Sequence, residues 1–163
     1  KIPGYSDYLH PYDENHIIGF GKDTVEISQS WSGIKETMAF YQGMKIAIFD
    51  VTDVEHPVQM YQEIIGNRGT DSQLLRNHKA LLFSREKNLL AFPVTVMETN
   101  KNSISYNGIP QYGEFAFQGA YVYQVDLANG FKLRGKITHL DAEEMLKSGS
   151  GWYQNKKNIE RVL

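Results

Sequence analysis

Apolar residues in this chain come in short runs, rich in β-branched and aromatic side chains and cut off by Gly, Asn, Asp or Pro. An amphipathic helix would repeat its apolar positions every three or four residues, whereas short bounded runs of this kind form pleated strands. The pattern predicts eight strands, at Ser6–Pro11, His16–Gly21, Met44–Val51, Val58–Ile65, Lys79–Ser84, Leu89–Val96, Ala120–Leu127 and Phe131–His139. Alternation assigns faces within them: Ile46 and Ile48 share one side, and Tyr121, Tyr123 and Val125 share another, with Val122 and Gln124 opposite. One short helix is expected after Asp141, whose side chain and that of Glu144 suit a capping box, with Gly149 as a stop.

The strands repeat. Tyr8–Phe20 lies without a gap over Ala80–Phe92, each copy reading strand, polar turn, strand. Gly43–Asp50 matches Gly119–Asp126, and Tyr61–Ile64 matches Arg134–Ile137, so both copies hold four strands in one order and differ in length only in their connections. A tandem four-stranded antiparallel unit is the blade of a β-propeller. One such unit is apolar on both faces and buries them only by stacking on another. A single eight-stranded sandwich is the competing arrangement. The expected division is a first blade over about 1–66, a second over about 74–140, and a helical connector with the start of a further strand over 141–163.

With 163 residues, the chain has the size of one ordinary domain, and 41% hydrophobic against 22% charged residues is enough to build a core. Seventeen Lys and Arg against nineteen Asp and Glu leave a net charge of −2, without the basic excess of a nucleic-acid binder. The absence of Cys excludes disulfides, thiolate zinc sites and cysteine nucleophiles. No apolar run reaches the ~18 residues of a membrane span. The chain opens at Lys1-Ile2-Pro3-Gly4 without a signal segment, and Ile159–Leu163 reads as a strand beginning, which is the expectation for a piece of a longer protein.

Chemistry-bearing motifs are sparse. Asp50-Val-Thr-Asp53-Val-Glu-His-Pro57 reads as a turn in which carboxylates bond nearby N–H groups; the alternative, a cation held by Asp50, Asp53 and Glu55, lacks the full calcium-loop pattern. Asp13-Glu14-Asn15-His16 has Arg85-Glu86-Lys87-Asn88 as its counterpart in the other copy, an inversion of charge that suits a solvated hairpin. His10, His16, His56, His78 and His139 follow no zinc spacing and are expected to be packed or solvent-facing. No nucleophile elbow, phosphate loop or His-Glu-x-x-His is present, and no cofactor or metal is expected. Glu63, Glu98 and Glu114 are available to a hydrolase only if blades bring them together. The longest irregular stretch, Met97–Gln118, sets aromatic rings among Asn, Gly, Ser and Gln, a composition suited to a contact surface. Thr24–Gln42 is its counterpart and is expected on the same side. The binding residues expected from these two connections are Tyr106, Tyr112, Phe115 and Trp31.

Tyr8–Gly21 and Asn77–Phe83 resemble the β-propeller domain of secreted prokaryotic proteins, a family distantly similar to WD repeats. Gly43-Met-Lys-Ile-Ala-Ile-Phe-Asp-Val-Thr-Asp53, followed by Pro57, is similar to that family's Gly-hydrophobic-Phe-Asp-Val-Ser-Asp-Pro turn, with the proline displaced by a few residues. Ile159–Leu163 resembles the opening of a next blade. The resemblance implies an all-β fragment of about two four-stranded blades plus one short helix, from an exported bacterial protein of the cell surface. It carries no catalytic or ligand-binding residues with it. The expected role is a non-catalytic module binding an unidentified protein or glycan, without nucleic acid or a membrane span, its uncovered blade faces prone to self-association. The alternative is a propeller hydrolase or lyase acting on polysaccharide or a lactone at the central channel.

Overall fold

The computed structural model describes residues 4–31, 34–99, 108–147 and 156–163. Among these residues eight strands run in chain order: β1 (Tyr5–Pro11), β2 (His16–Trp31), β3 (Ile34–Asp50), β4 (Val58–Ile65), β5 (Leu82–Ser84), β6 (Leu89–Glu98), β7 (Glu114–Asp126) and β8 (Gly130–Ile137). They form two antiparallel four-stranded sheets with sequential order, β1-β2-β3-β4 and β5-β6-β7-β8. The fold is therefore all-β, with the two equivalent sheets of a propeller fragment. Among the described residues one short helix, α1 (Ala142–Lys147), is closed by a reciprocal capping box: Glu144 N–H donates to Asp141 Oδ1 (2.9 Å) and Asp141 N–H to Glu144 Oε2 (3.1 Å).

Three segments differ from the expected elements, and in addition β6 and β7 take in both ends of the Met97–Gln118 stretch expected to be irregular, at Met97–Glu98 and Glu114–Gln118. Thr24–Gln42, expected as an irregular connection, is a two-stranded ribbon in which β2 and β3 run on past both outer strands. Its ladder pairs Val25 with Phe40 and Ile27 with Met38 on one face, alternating with Glu26–Ala39 and Ser28–Thr37 on the other. The period-two signal is present in Thr24–Ser28 but lies among polar residues. Second, His78–Ala80 forms a single 3-10 turn and β5 is cut to three residues; Asn77 caps the turn by accepting from Lys79 N–H. Third, Ile159–Leu163 forms no strand, because a side chain substitutes for the neighbouring backbone. Gln118 donates from Nε2 to Ile159 O (2.8 Å) and accepts from Ile159 N–H (3.1 Å).

The register of the repeat also differs from the ungapped match. In the first hairpin Pro11 pairs with Ile17; in the second Phe83 pairs with Leu90, so the Arg85–Asn88 turn is one residue longer than its counterpart, with Asn88 at φ 50°. The bulge that kinks the third ladder falls between Ile48 and Phe49 in one sheet and between Val122 and Tyr123 in the other. Because side chains alternate faces with period two, one inserted residue turns every later residue of β6 over. Phe20 therefore corresponds to Pro93, and Phe92 to Gly19. The two phenylalanines that the sequence lays on top of each other instead point at each other, with ring centroids 5.9 Å apart and planes at 73°.

That inversion builds the core. Ile18, Phe20, Ile46 and Ile48 of the first sheet pack against Leu90, Phe92, Val94, Tyr121 and Tyr123 of the second in one continuous cluster. Phe92 stacks on Tyr123 at 6.0 Å. The Tyr123 hydroxyl, fully buried, donates to Glu63 Oε1 on β4 (2.7 Å); burial and the Glu63 carboxylate push the phenol well up, so it stays a donor. Like ends lie together. Asp13 meets Arg85 at 3.7 Å between the two hairpin turns, and the Tyr61 hydroxyl donates to Leu127 O (3.1 Å) and Ala128 O (2.9 Å). Gly130, at φ 72°, seats the Tyr61 ring where a Cβ would fall 2.6 Å from it. The far face of the second sheet, at Ala91 and Ala120, is buried as well.

Since the core is shared, the sheets should unfold as one. Phe20→Ala is expected to cost about 3–5 kcal/mol, and to leave a single urea transition in which tyrosine fluorescence and far-ultraviolet circular dichroism coincide. Two separated transitions in the wild type would contradict a shared core.

Candidate functional site

The segment joining the sheets turns sharply through Gly66 (φ 63°) and Gly69 (φ 104°), conformations that a side chain resists. It is stitched to the ends of β6 and β7. Asn67 N–H donates to Met97 O (2.7 Å), Thr99 N–H to Asn67 Oδ1 (2.9 Å), and Gly113 N–H to Arg68 O (2.8 Å). Thr70 Oγ1 accepts from Met97 N–H at 2.9 Å. These bonds fix Arg68 at the point where the two long connections meet. Its guanidinium lies 4.2 Å from the centroid of Tyr112 and 5.3 Å from that of Phe40, and donates to Pro110 O (2.7 Å). Phe40 comes from the ribbon and Tyr112 from the residues before β7, so both connections do reach one side of the molecule.

Of the four residues expected to bind, Tyr112 sits at this junction and is 70% exposed. Phe115 lies in β7 opposite Met97 and is half-buried. Trp31 ends β2 at the far tip of the ribbon, paired in the ladder with Ile34. Tyr106 lies outside the described residues. Sequence reasoning missed Arg68 and Phe40. Asn67-Arg68-Gly69-Thr70 reads as a plain turn, and nothing local announces that rings from two other segments will close on its guanidinium. Around the junction Tyr41 (57% exposed) packs against Tyr5 at 5.3 Å, and Met38 and Val25 are exposed on the ribbon.

A second polar cluster holds the joining segment to β2. Lys22 Nζ donates to Thr70 O and to Asp71 Oδ1 (3.2 Å), and Arg76 donates to Asp71 Oδ2 (2.7 Å). Burial by itself would raise the Asp71 carboxyl, but the Arg76 hydrogen bond and the charges of Lys22 and Arg76 outweigh it and hold the group below the usual range. Asp7, at the bulge of β1, is pushed the other way, by burial first. The remaining acidic residues are spent locally. Asp50 accepts from Thr52 N–H (2.8 Å), Asp53 from Glu55 N–H (3.0 Å) and from His56, and Asp13 from Asn15 N–H and His16. His10 packs edge-on to Phe83 at 4.8 Å and bonds the Tyr8 hydroxyl; burial lowers its pKa. Glu63 serves Tyr123, while Glu98 and Glu114 face each other across the β6–β7 ladder, so the three do not converge. Among the described residues no three His, Asp or Glu side chains are grouped to hold a metal, and no helix is long and apolar enough to cross a membrane.

A family model described as a beta propeller domain matches residues 1–163. An uncharacterized protein of Archaeoglobus fulgidus is 28% identical over 93 residues, covering 57% of this chain and 12% of that protein. The chain thus corresponds to a small part of that relative's length. No solved structure matches.

The depressed Asp71 carboxyl carries a pH signature. A group with a lowered native pKa contributes stability above its unfolded value, near 3.9, and loses it as pH falls through the native one. Asp71→Asn should therefore be less stable than wild type at pH 7 by urea denaturation, with the gap closing toward pH 3. A gap independent of pH would show that the ion pairs with Arg76 and Lys22 contribute nothing.

Proposed function

Because this chain belongs to the beta propeller domain family, we propose that it is a non-catalytic scaffold module of a secreted or cell-envelope protein, and that it docks a protein or carbohydrate partner on the aromatic surface around Arg68. The observation that carries this reading is the closure of Phe40 and Tyr112 on one guanidinium from two separate connections. Cation–π stacking of about 0.5–2 kcal/mol per ring orders side chains that would otherwise lose entropy on binding. Tyr112 offers an amphipathic ring with only two rotatable bonds, the type of residue that supplies contact area cheaply. The site stands on a rigid frame: the glycine turns and five hydrogen bonds of the joining segment, counted from Asn67, Thr99, Gly113, Thr70 and Arg68. The scaffold reading is also supported over the hydrolase alternative because the three candidate carboxylates do not converge: Glu63 accepts from Tyr123, while Glu98 and Glu114 lie on the β6–β7 ladder. Export and surface location rest on the family resemblance.

The reading is tested on an immobilised panel of neutral and acidic oligosaccharides and on a surface-protein extract from the source cells, probed with wild type and Tyr112→Ala. Because Tyr112 is 70% exposed, its removal should leave the melting temperature within a few degrees while weakening any captured ligand about ten-fold. Ligands held equally well by the variant would place the binding surface elsewhere.

A further inference from the structure

We propose that Arg68 is a receptor for a single carboxylate, and that the ligand of this surface is an acidic sugar residue such as a uronate set among neutral ones. This rests on the reading of the Arg68 surface as a binding site and names its ligand class. Among the described residues Arg68 forms no ion pair, whereas Lys22, Arg76, Arg85 and Lys157 are each within 4.0 Å of a carboxylate. Its one side-chain hydrogen bond among those residues goes to Pro110 O, which fixes the guanidinium plane without neutralising it. Tyr112 and Phe40 sit against that plane, so a ligand reaches the group at its edge. The edge of a guanidinium is a rigid fork of N–H donors spaced for the two oxygens of a carboxylate. A half-buried, stacked, unneutralised arginine is therefore prepared for an anion of planar geometry.

The surroundings choose among anions. Glu98 and Glu114 lie directly opposite each other on the ladder, beside Gly113 and the Tyr112 loop. Two like charges so placed repel a second negative group on the ligand, yet both are acceptors for hydroxyl donors. A contiguous polyanion, whether acidic peptide or homopolymeric uronate, meets that repulsion; one carboxylate flanked by hydroxyl-bearing rings does not. The exposed face of Tyr112 is suited to the apolar C–H face of a sugar ring.

Isothermal titration of the 163-residue chain decides the matter with four probes: a glucuronate-containing disaccharide, the same disaccharide with its carboxyl reduced to an alcohol, a polyuronate, and an oligoglutamate peptide. Wild type is expected to prefer the acid over the alcohol by at least about ten-fold, the range of a charge-assisted bidentate pair. Arg68→Gln should abolish that preference, so that acid and alcohol bind the variant within about two-fold of each other, and Arg68→Lys, which keeps charge without the fork, should lose most of it. Equal binding of acid and alcohol by wild type overturns the inference and leaves the binding surface standing. A variant that loses both sugars together gives Arg68 a purely structural role and also overturns it. Tighter binding of the polyuronate or the peptide overturns the assignment to an isolated carboxylate. No binding of any of the four probes overturns the sugar assignment and turns the surface reading over to protein partners.

Discussion

Everything in this molecule depends on one layer of apolar contact between two sheets, centred on Phe20, Phe92 and Tyr123. A four-stranded sheet with apolar residues on both faces is unstable alone, and each fully buried aromatic or aliphatic side chain contributes about 1.5–3 kcal/mol by leaving water. The layer is not purely apolar: the Tyr123 hydroxyl reaches Glu63 across the interface, which ties β7 of one sheet to β4 of the other at a defined position. Tyr61 over Gly130, and Asp13 beside Arg85, fix the same alignment at the outer strands and at the hairpin turns. The sheets thus meet in one register with like ends together, the relation that lets such units follow one another around an axis.

The same layer explains how a sequence repeat and a structural repeat can disagree by one residue. Side by side, Phe20 and Phe92 look like copies of one position. In space they are partners, because the Arg85–Asn88 turn holds one residue more than the Asp13–Asn15 turn and β6 emerges with its faces exchanged. The exchange serves packing. With equal turns, both large rings would have faced the same way around the stack and left small residues, Gly19 or Pro93, at the interface. The inverted charges of Asp13 and Arg85 belong to the same logic, since positions equivalent in the repeat are neighbours across the interface and opposite charges attract there.

The candidate binding surface follows from the frame, because the joining segment must reverse direction between sheets and does so beside the end of β6 and the start of β7. Gly66 and Gly69 permit the reversal, Thr70 and Asn67 staple it to β6, and Arg68 is left at the crossing with the ribbon on one side and the Tyr112 loop on the other. Asp71, Lys22 and Arg76 anchor the next residues to β2. Rigid support under an exposed aromatic group is what separates a plausible recognition surface from a mobile loop of the same composition.

Short apolar runs and their internal repeat were enough to place eight strands in an order of four and four, and local polar motifs to place the Asp141–Glu144 cap and the turn roles of Asp50 and Asp53, since each pattern depends on residues within a few positions of one another. Tyr112 could be singled out for a similar reason, as an aromatic residue in a long Gly-rich stretch, and its exposure and its stacking on Arg68 came from the structure. Tertiary structure alone decided that Thr24–Gln42 is a ribbon, that β6 is turned over, that Ile159 is held by the Gln118 side chain, and that rings from two connections close on Arg68. Each of these rests on a contact between segments far apart in the chain: Val25 with Phe40, Phe20 with Phe92, Gln118 with Ile159, Arg68 with Phe40 and Tyr112. Local patterns report which face of an element is apolar. They contain no information about which other face it will meet, and a guanidinium acquires its role only from the rings and carbonyls that close around it.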